Sequence, residues 1–326
     1  MSDPAQLIKK IRAALAPRGL GEWPTPLERM PALARVLGLA ELAIKREDRS
    51  AARYGGNKVR GLEFLLAGAA PGTTFVTVGA TGSTHCLATA AHAAELGYGT
   101  ALAQFPQPET PTSRAVAAAC ASRATLVVRA RARATLPLAV LEAWYRAREL
   151  GRGPRRWIPG GGAHPRAVVG HMLAGLELAL QVTAPPDAIV VPLGSGGTAA
   201  GLLLALGTLG WATRLVAVRV APVIVANRWR TLRLARAARR LLAGAGVALA
   251  APASPVVIDA IGRGYGWPTR DGEAAGRLAR EHGLVLDSTY GAKAFGVLVR
   301  RGTCDVRRVV FWHTFAVPEA IVESVP

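Results

Sequence analysis

Short β-branched runs alternate with longer Ala- and Leu-rich stretches along most of the chain, and this alternation limits the possible folds more than any other feature. Strands are expected at 74–78 (TFVTV), 100–105 (TALAQF), 125–129 (TLVVR), 188–193 (AIVVPL), 214–220 (RLVAVRV) and 307–312 (RRVVFW). Helical stretches are expected at 83–97, 111–121, 135–150, 165–182, 198–210 and 271–283. A parallel strand pair needs a crossover long enough to hold a helix, so this order reads as an α/β fold with mostly parallel, twisted sheets covered by helices on both faces. Ligands of such sheets gather at the carboxyl ends of the strands, in the loops that enter helices. A length of 326 residues allows one large domain or two ordinary ones. The glycine-rich stretch 151–165 (GRGPRRWIPGGGAHP) is the expected crossing between two lobes.

Several function classes are excluded at this level. The longest apolar run, AAGLLLALGTLGWA at 199–212, holds two glycines and stops at Thr213-Arg214, which fits a buried helix and not a membrane span. The opening MSDPAQLIKKIRAALAP has no apolar core with a cleavage site, so no secretory signal is expected. Cys86, Cys120 and Cys304 are scattered. They form neither a CxxC pair nor a disulfide framework, which fits a reducing cytoplasm and speaks against structural zinc. A net charge of +19 raises nucleic acid as a partner. The arginines, however, are spread through the chain, and the densest run (NRWRTLRLARAARRLL, 227–242) reads as the solvated face of a surface helix. No specific nucleic-acid recognition and no membrane partner are expected.

Six loops have residues suited to chemistry. In YGGNKVRGLEFLL (54–66) a lysine stands directly behind Gly55-Gly56-Asn57, at the start of a helix; the chain has only five lysines, Lys9, Lys10, Lys45, Lys58 and Lys293, so Lys58 reads as a chemical choice. Asn57 is expected to cap that helix. Lys293 lacks a glycine-rich approach and reads as a solvated or helix-dipole lysine. In VVPLGSGGTAAGL a strand runs through Gly194, Ser195, Gly196, Gly197 and Thr198 into a helix. Converging backbone N–H groups at a helix start make an anion site, although a tight turn needs the same residues. Ser83, Thr84 and His85 open the helix after 77–82, where simple N-capping is the plainer reading. His85 and His92, seven residues apart, read as packing or surface residues and not as a metal site. Tyr265, Tyr290 and Thr314 lie in further loops near the C-terminus, each also readable as a satisfied buried or capping residue.

Taken in order, these loops resemble the pyridoxal-phosphate (PLP) enzymes of the tryptophan-synthase-β fold (fold type II), and among them the branch of D-cysteine desulfhydrase and 1-aminocyclopropane-1-carboxylate (ACC) deaminase. The blocks are 24–66 (PTPLERMPALARVLGLAELAIKREDRSAARYGGNKVRGLEFLL), TVGATGSTH, IPGGGAHP, VPLGSGGTAAGL, GYGWPT, LDSTYGAKA and FWHT. The resemblance implies a large cofactor domain from 1–45 with 151–326, a small domain of 46–150, and a cytoplasmic homodimer. It implies that Lys58 carries PLP covalently and takes the Cα proton. It also implies that Gly55 and Gly56 let the backbone approach the cofactor, and that Asn57, Thr84 and Gly194 to Thr198 hold it with Thr314 at the pyridine nitrogen. Ser83 and Tyr290 match catalytic positions, and Ser83, Thr84, His85, Tyr265, Tyr290 and Phe315 match positions facing the amino-acid substrate. No metal is implied. The expected reaction is β-elimination from a small amino acid, giving a 2-oxo acid and ammonia. β-Replacement, racemisation or ACC ring opening on the same scaffold is the alternative; a PLP-binding or basic interaction protein with little catalysis is a third.

The chain departs from the family pattern at four places. Thr84 replaces an asparagine, Gly291 stands where ACC deaminases have glutamate, and Phe315-Ala316 replaces Gly-Gly. The ACC deaminases also have leucine at the position of Thr314, which favours the desulfhydrase side. The phenylalanine is expected either to re-route its loop into the core or, the favoured reading, to reshape the substrate pocket and make D-cysteine and ACC poor substrates.

Overall fold

The computed structural model describes residues 3–150, 153–301 and 306–315. Cys304 and Ala316 lie outside them. Ten strands form two sheets: β1 Leu27–Arg29, β2 Glu41–Arg46, β3 Thr74–Ala80, β4 Gly99–Phe105, β5 Leu126–Arg129, β6 Arg155–Ile158, β7 Ala188–Leu193, β8 Arg214–Arg219, β9 Pro255–Asp259 and β10 Arg308–His313. The larger sheet has the order β1-β2-β10-β7-β8-β9 and the smaller β5-β4-β3-β6. Every pairing is parallel except β1 with β2.

The helices are α1 Pro4–Leu15, α2 Pro31–Val36, α3 Lys58–Leu65, α4 Thr84–Glu95, α5 Pro111–Arg123, α6 Leu136–Leu150, α7 Pro165–Gln181, α8 Gly197–Leu209, α9 Arg228–Gly244, α10 Arg270–Glu281 and α11 Gly291–Arg301. Parallel strands covered on both faces lose the alternation of polar and apolar side chains. β7 (AIVVPL) is accordingly buried along its whole length, and Val309 to His313 of β10 are buried as well. Phe311 and Trp312 are fully buried at the centre of the larger sheet; each such side chain contributes roughly 1.5–3 kcal/mol by leaving water. α9 has the expected character, with Leu232, Ala235, Ala238 and Leu242 buried and most of its arginines outside.

All six expected strands form, within one or two residues of the expected bounds, and four more join them. β6 lies inside the stretch expected as the crossing; it pairs with β3 in the smaller sheet, and the chain passes on to α7 through residues 159–164. β2 (ELAIKR) sits between β1 and β10 with Lys45 completely buried. Its amine donates to the Glu177 carboxylate, to the Thr25 carbonyl at 2.8 Å and to Gln181 Oε1 at 2.7 Å. Arg60 completes this buried cluster. It is bidentate with Glu47 (2.7 and 2.8 Å), bonds Glu177 at 2.9 and 3.1 Å, and lies 3.8 Å from the centroid of the Trp23 ring. Two cations thus face two carboxylates, and the cluster ties α3 to α7 and to the turn after β2. Among the described residues no helix is long and apolar enough to cross a membrane.

Candidate active site

The carboxyl ends of β3, β4, β7, β8 and β10 open onto one cavity of about 490 Å³. Asn57, Lys58, Ser83, Thr84, His85, Gly194 to Thr198, Tyr265, Tyr290, Thr314 and Phe315 all line it. Residues from separate loops, from 57 to 315, are thereby brought to one wall system, and no Asp or Glu is among the lining residues.

Lys58 is the first residue of α3. Its amine donates to the Gly161 carbonyl at 3.1 Å, and burial pulls its pKa down from 10.5 to about 8. A helix N-terminus disfavours a cation as well. Asn57 differs from its expected role: it occupies the cap position but makes no capping bond, and its Nδ2 instead donates to Thr198 Oγ1 at 2.7 Å. The side chain therefore links the lysine loop to the helix after β7 and does not close its own helix. Gly55 and Gly56 also meet neighbouring backbone closely. A Cβ on Gly55 would lie 2.0 Å from the Asp48 carbonyl oxygen, and Gly56 has φ +102° with Thr314 O 3.2 Å from where a Cβ would be. The glycines let this loop pack on the 47–50 turn and on Thr314, whose carbonyl accepts from the Asn57 N–H at 2.9 Å.

The helix α8 begins behind Gly196, which has φ +90°. An added Cβ there would be strained in the left-handed region and would sit 3.1 Å from Thr231 Oγ1. The Ala200 N–H closes on the Gly196 carbonyl, so the N–H groups of Gly197, Thr198 and Ala199 precede the helix's own bonding and point at its open end. Ser195 Oγ donates to the same Gly161 carbonyl that holds Lys58, at 3.2 Å. A loop of free amides at a helix start, next to a lowered-pKa lysine in a cavity without carboxylates, suits an anionic aldehyde cofactor.

On the opposite wall Ser83 caps α4, accepting from the Cys86 N–H at 3.3 Å. His85 is buried. Thr77 Oγ1 spends its proton on the Ile158 carbonyl at 2.8 Å, so His85 Nε2 must donate to Thr77, at 2.9 Å. That leaves Nδ1 a bare acceptor without a partner, and burial together with the nearby Lys58 charge holds the ring neutral, near a pKa of about 3. His92 is buried too, its Nε2 against the Tyr54 carbonyl at 3.0 Å. The hydroxyls of Tyr265 and Tyr290 hydrogen-bond to each other, with ring centroids 6.0 Å apart at 75°. Burial pushes Tyr265 up to about 12 and raises Tyr290 well above 10, so both phenols stay protonated. Phe315 is buried in the small-sheet cluster with Tyr54 and Leu62 and also lines the cavity.

The profile of the family described as pyridoxal-phosphate dependent enzyme matches residues 19–314. The chain belongs to this family. It is 36% identical over 301 residues to the nocardicin C-9′ epimerase of Nocardia uniformis subsp. tsuyamanensis, covering 87% of this chain and 89% of that one. It is 34% identical over 310 residues to the D-cysteine desulfhydrase of Klebsiella pneumoniae subsp. pneumoniae, covering 90% and 92%. The crystal structure of an ACC deaminase homologue superposes with a TM-score of 0.79 at 30% identity, over 94% of either chain. The protein is thus a PLP-dependent enzyme of fold type II.

Several contributors were not legible as site residues. The Gly161 carbonyl receives both Lys58 and Ser195; its only signal was the glycine triplet 160–162. His171 on α7 is buried against the start of α8, 3.8 Å from where a Gly197 Cβ would be, with Nδ1 unpartnered. Lys293 departs from the expectation of a solvated lysine. It is buried, donating to the Ile261 carbonyl at 2.8 Å and the Gly264 carbonyl at 3.3 Å, and so it pins the loop that carries Tyr265. The carbonyls compensate the buried ammonium, and burial lowers its pKa to about 8.

The Gly196 geometry gives a direct expectation. Gly196→Val is expected to weaken PLP binding at least roughly tenfold, because the strain falls on the loop that presents the amides. Absorbance titration of the apoprotein checks this, with circular dichroism confirming the fold. Unchanged affinity in a folded variant would make the loop a turn only.

Proposed function

We propose that this PLP-dependent enzyme is a lyase/deaminase acting on an amino acid: the Cα proton is removed, a β substituent departs, and hydrolysis gives a 2-oxo acid and ammonia. The observation that carries the reading is one cavity without carboxylates that Lys58, with its lowered pKa, lines together with the glycine-rich loop at 194–198, Ser83 and Tyr290. Bound PLP supplies the electron sink for charge left at Cα. The chain's own groups divide the remaining work. The backbone amides from Ser195 to Thr198, with Gly194 shaping the turn and Asn57 bracing Thr198, hold the phosphate end. Thr84 holds the phenolic side and Thr314 the pyridine nitrogen. Lys58 holds the cofactor and moves the Cα proton. Ser83 receives the substrate carboxylate, with Thr84 and His85 beside it, and the Tyr290–Tyr265 pair presents a neutral hydroxyl to the reacting face. Phe315 limits the pocket.

Epimerisation at Cα is the second reading, favoured by the 36% identity to an epimerase. It shares every step up to proton removal and differs in returning a proton to the other face. Residues 1–45 with 151–326 form the large, cofactor-holding domain in this reading, and 46–150 the small one. The enzyme is further proposed to be a cytoplasmic homodimer: Cys86 and Cys120 are free buried thiols, and Leu138, Leu141 and Tyr145 leave an exposed apolar face on α6.

Incubation with D- and L-amino acids in D₂O decides between the two reactions. The lyase reading expects 2-oxo acid and ammonia in equal amounts; inverted amino acid carrying Cα deuterium, without ammonia, would replace it by epimerisation. No Cα exchange with any amino acid would refute both.

A further inference from the structure

The cavity continues outward past Lys58, Ser83 and the tyrosine pair to a wall that the proposed chemistry leaves unused. Phe105 at the end of β4, Leu136 at the start of α6, and Pro222, Ile224 and Val225 after β8 form it. Ile224 is 80% exposed, so apolar surface at the cavity mouth faces water. A small polar amino acid would occupy the inner, hydroxyl-lined end and leave this surface uncovered.

One polar side chain stands in that outer wall. Arg133 begins the 3₁₀ turn Arg133–Thr135 that leads into α6, and it lines the cavity. Its guanidinium lies 5.6 Å from the centroid of the Phe105 ring, a contact that orients a cation without neutralising it. No carboxylate is among the cavity-lining residues, and Arg133 takes part in none of the ion pairs among the described residues, whereas Arg46, Arg60 and Arg219 are each paired. An exposed, planar guanidinium without an ion-pair partner, near the Phe105 ring and beside an apolar wall, matches an anion at the end of an apolar arm.

We propose that Arg133 is a specificity residue. The substrate is an amino acid whose side chain is an extended apolar or aromatic spacer ending in a carboxylate, with the spacer against Phe105, Leu136, Ile224 and Val225 and the carboxylate on Arg133. This rests on the proposed function in one respect only: the amino-acid end of the substrate engages at Lys58.

The test uses the PLP-loaded full-length enzyme and follows Cα-proton exchange in D₂O by NMR, a step common to elimination and epimerisation. Both enantiomers of matched pairs are compared: 2-aminoadipate with norleucine, and 4-carboxyphenylalanine with 4-methylphenylalanine. The wild type is expected to favour the carboxylate member by roughly tenfold in kcat/KM, the scale of one charge-assisted contact at a partly exposed site. Arg133→Ala should abolish the preference through KM while leaving the neutral member unchanged. Arg133→Glu should shift it towards 4-aminomethylphenylalanine. A wild type without preference, or a preference that survives Arg133→Ala, overturns the proposal. So does an Arg133→Ala effect equal for all amino acids, since Arg133 would then serve the α-carboxylate they share. Exchange with no amino acid at all would sink the reaction reading, and Arg133's role with it, a result distinct from exchange without preference.

Discussion

Lys58→Ala is expected to leave a folded protein that binds PLP without a covalent link and turns over substrate at least roughly 10²–10⁴-fold more slowly, the range lost with a positioned general base. Burial is the reason. A pKa of about 8 leaves about a tenth of the amine neutral at pH 7, against far less than a hundredth for an ordinary lysine at 10.5. Only the neutral amine can attack an aldehyde. The sign for stability follows from the same shift. Between pH 8 and 10.5 the unfolded chain binds the proton that the native state has released, so native stability rises with pH across that window. Below pH 8 the apoprotein carries the full cost of a charged amine in a half-buried site, and alanine removes it. Apoprotein Tm is therefore expected to hold or rise in the variant while steady-state turnover collapses. A large fall in Tm would mean that Lys58 is a structural residue.

The second large effect is expected at the buried ionic cluster. Glu47→Ala leaves Arg60 and Lys45 facing a single carboxylate, Glu177, inside the protein. Breaking a buried pair by removing one partner costs about 3–5 kcal/mol, since a buried charge loses its compensation. Thermal unfolding should show Tm lower by roughly 10 °C. Burial alone would raise the Glu47 pKa, but the Arg60 guanidinium beside it overcomes this and holds the carboxyl below 4.5. Its stabilisation is then complete above about pH 4.5 and is lost as the pH falls through the lowered native value, so the two proteins should converge in acid. A variant within about 1 kcal/mol of wild type at pH 7 would show that the cluster is not what fastens α3.

The residues most legible in the sequence were those whose role is local. A fully apolar run such as AIVVPL at 188–193 declares a covered parallel strand by itself, and Gly194 to Thr198 declare a turn into a helix. β2 escaped because it holds Lys45 and Arg46, and the compensation for the buried Lys45 comes from Glu177, 132 residues away on α7. Lys293 escaped for a related reason: backbone carbonyls at 261 and 264 neutralise it, and a carbonyl leaves no mark in the sequence. Asn57 had the right position for a cap, yet its partner is Thr198, 141 residues on. Lys58 stood out by itself, a rare lysine behind Gly-Gly-Asn, but Ser83, Tyr290 and Thr314 could be singled out only with it, as members of blocks that follow one another in order; their common cavity is a product of two sheets meeting at their carboxyl ends. Arg133 and His171 belonged to no such block, and the Gly161 carbonyl was marked only by its glycine triplet.

Lys58 as the residue that holds PLP is tested most directly by borohydride reduction of the PLP-loaded wild type, followed by peptide mapping. The expected result is one pyridoxyl group per chain, on the peptide containing Lys58. A pyridoxyl group on Lys293, whose pKa also lies near 8 but whose amine is tied to two carbonyls, would contradict the account, as would the absence of any label after loading.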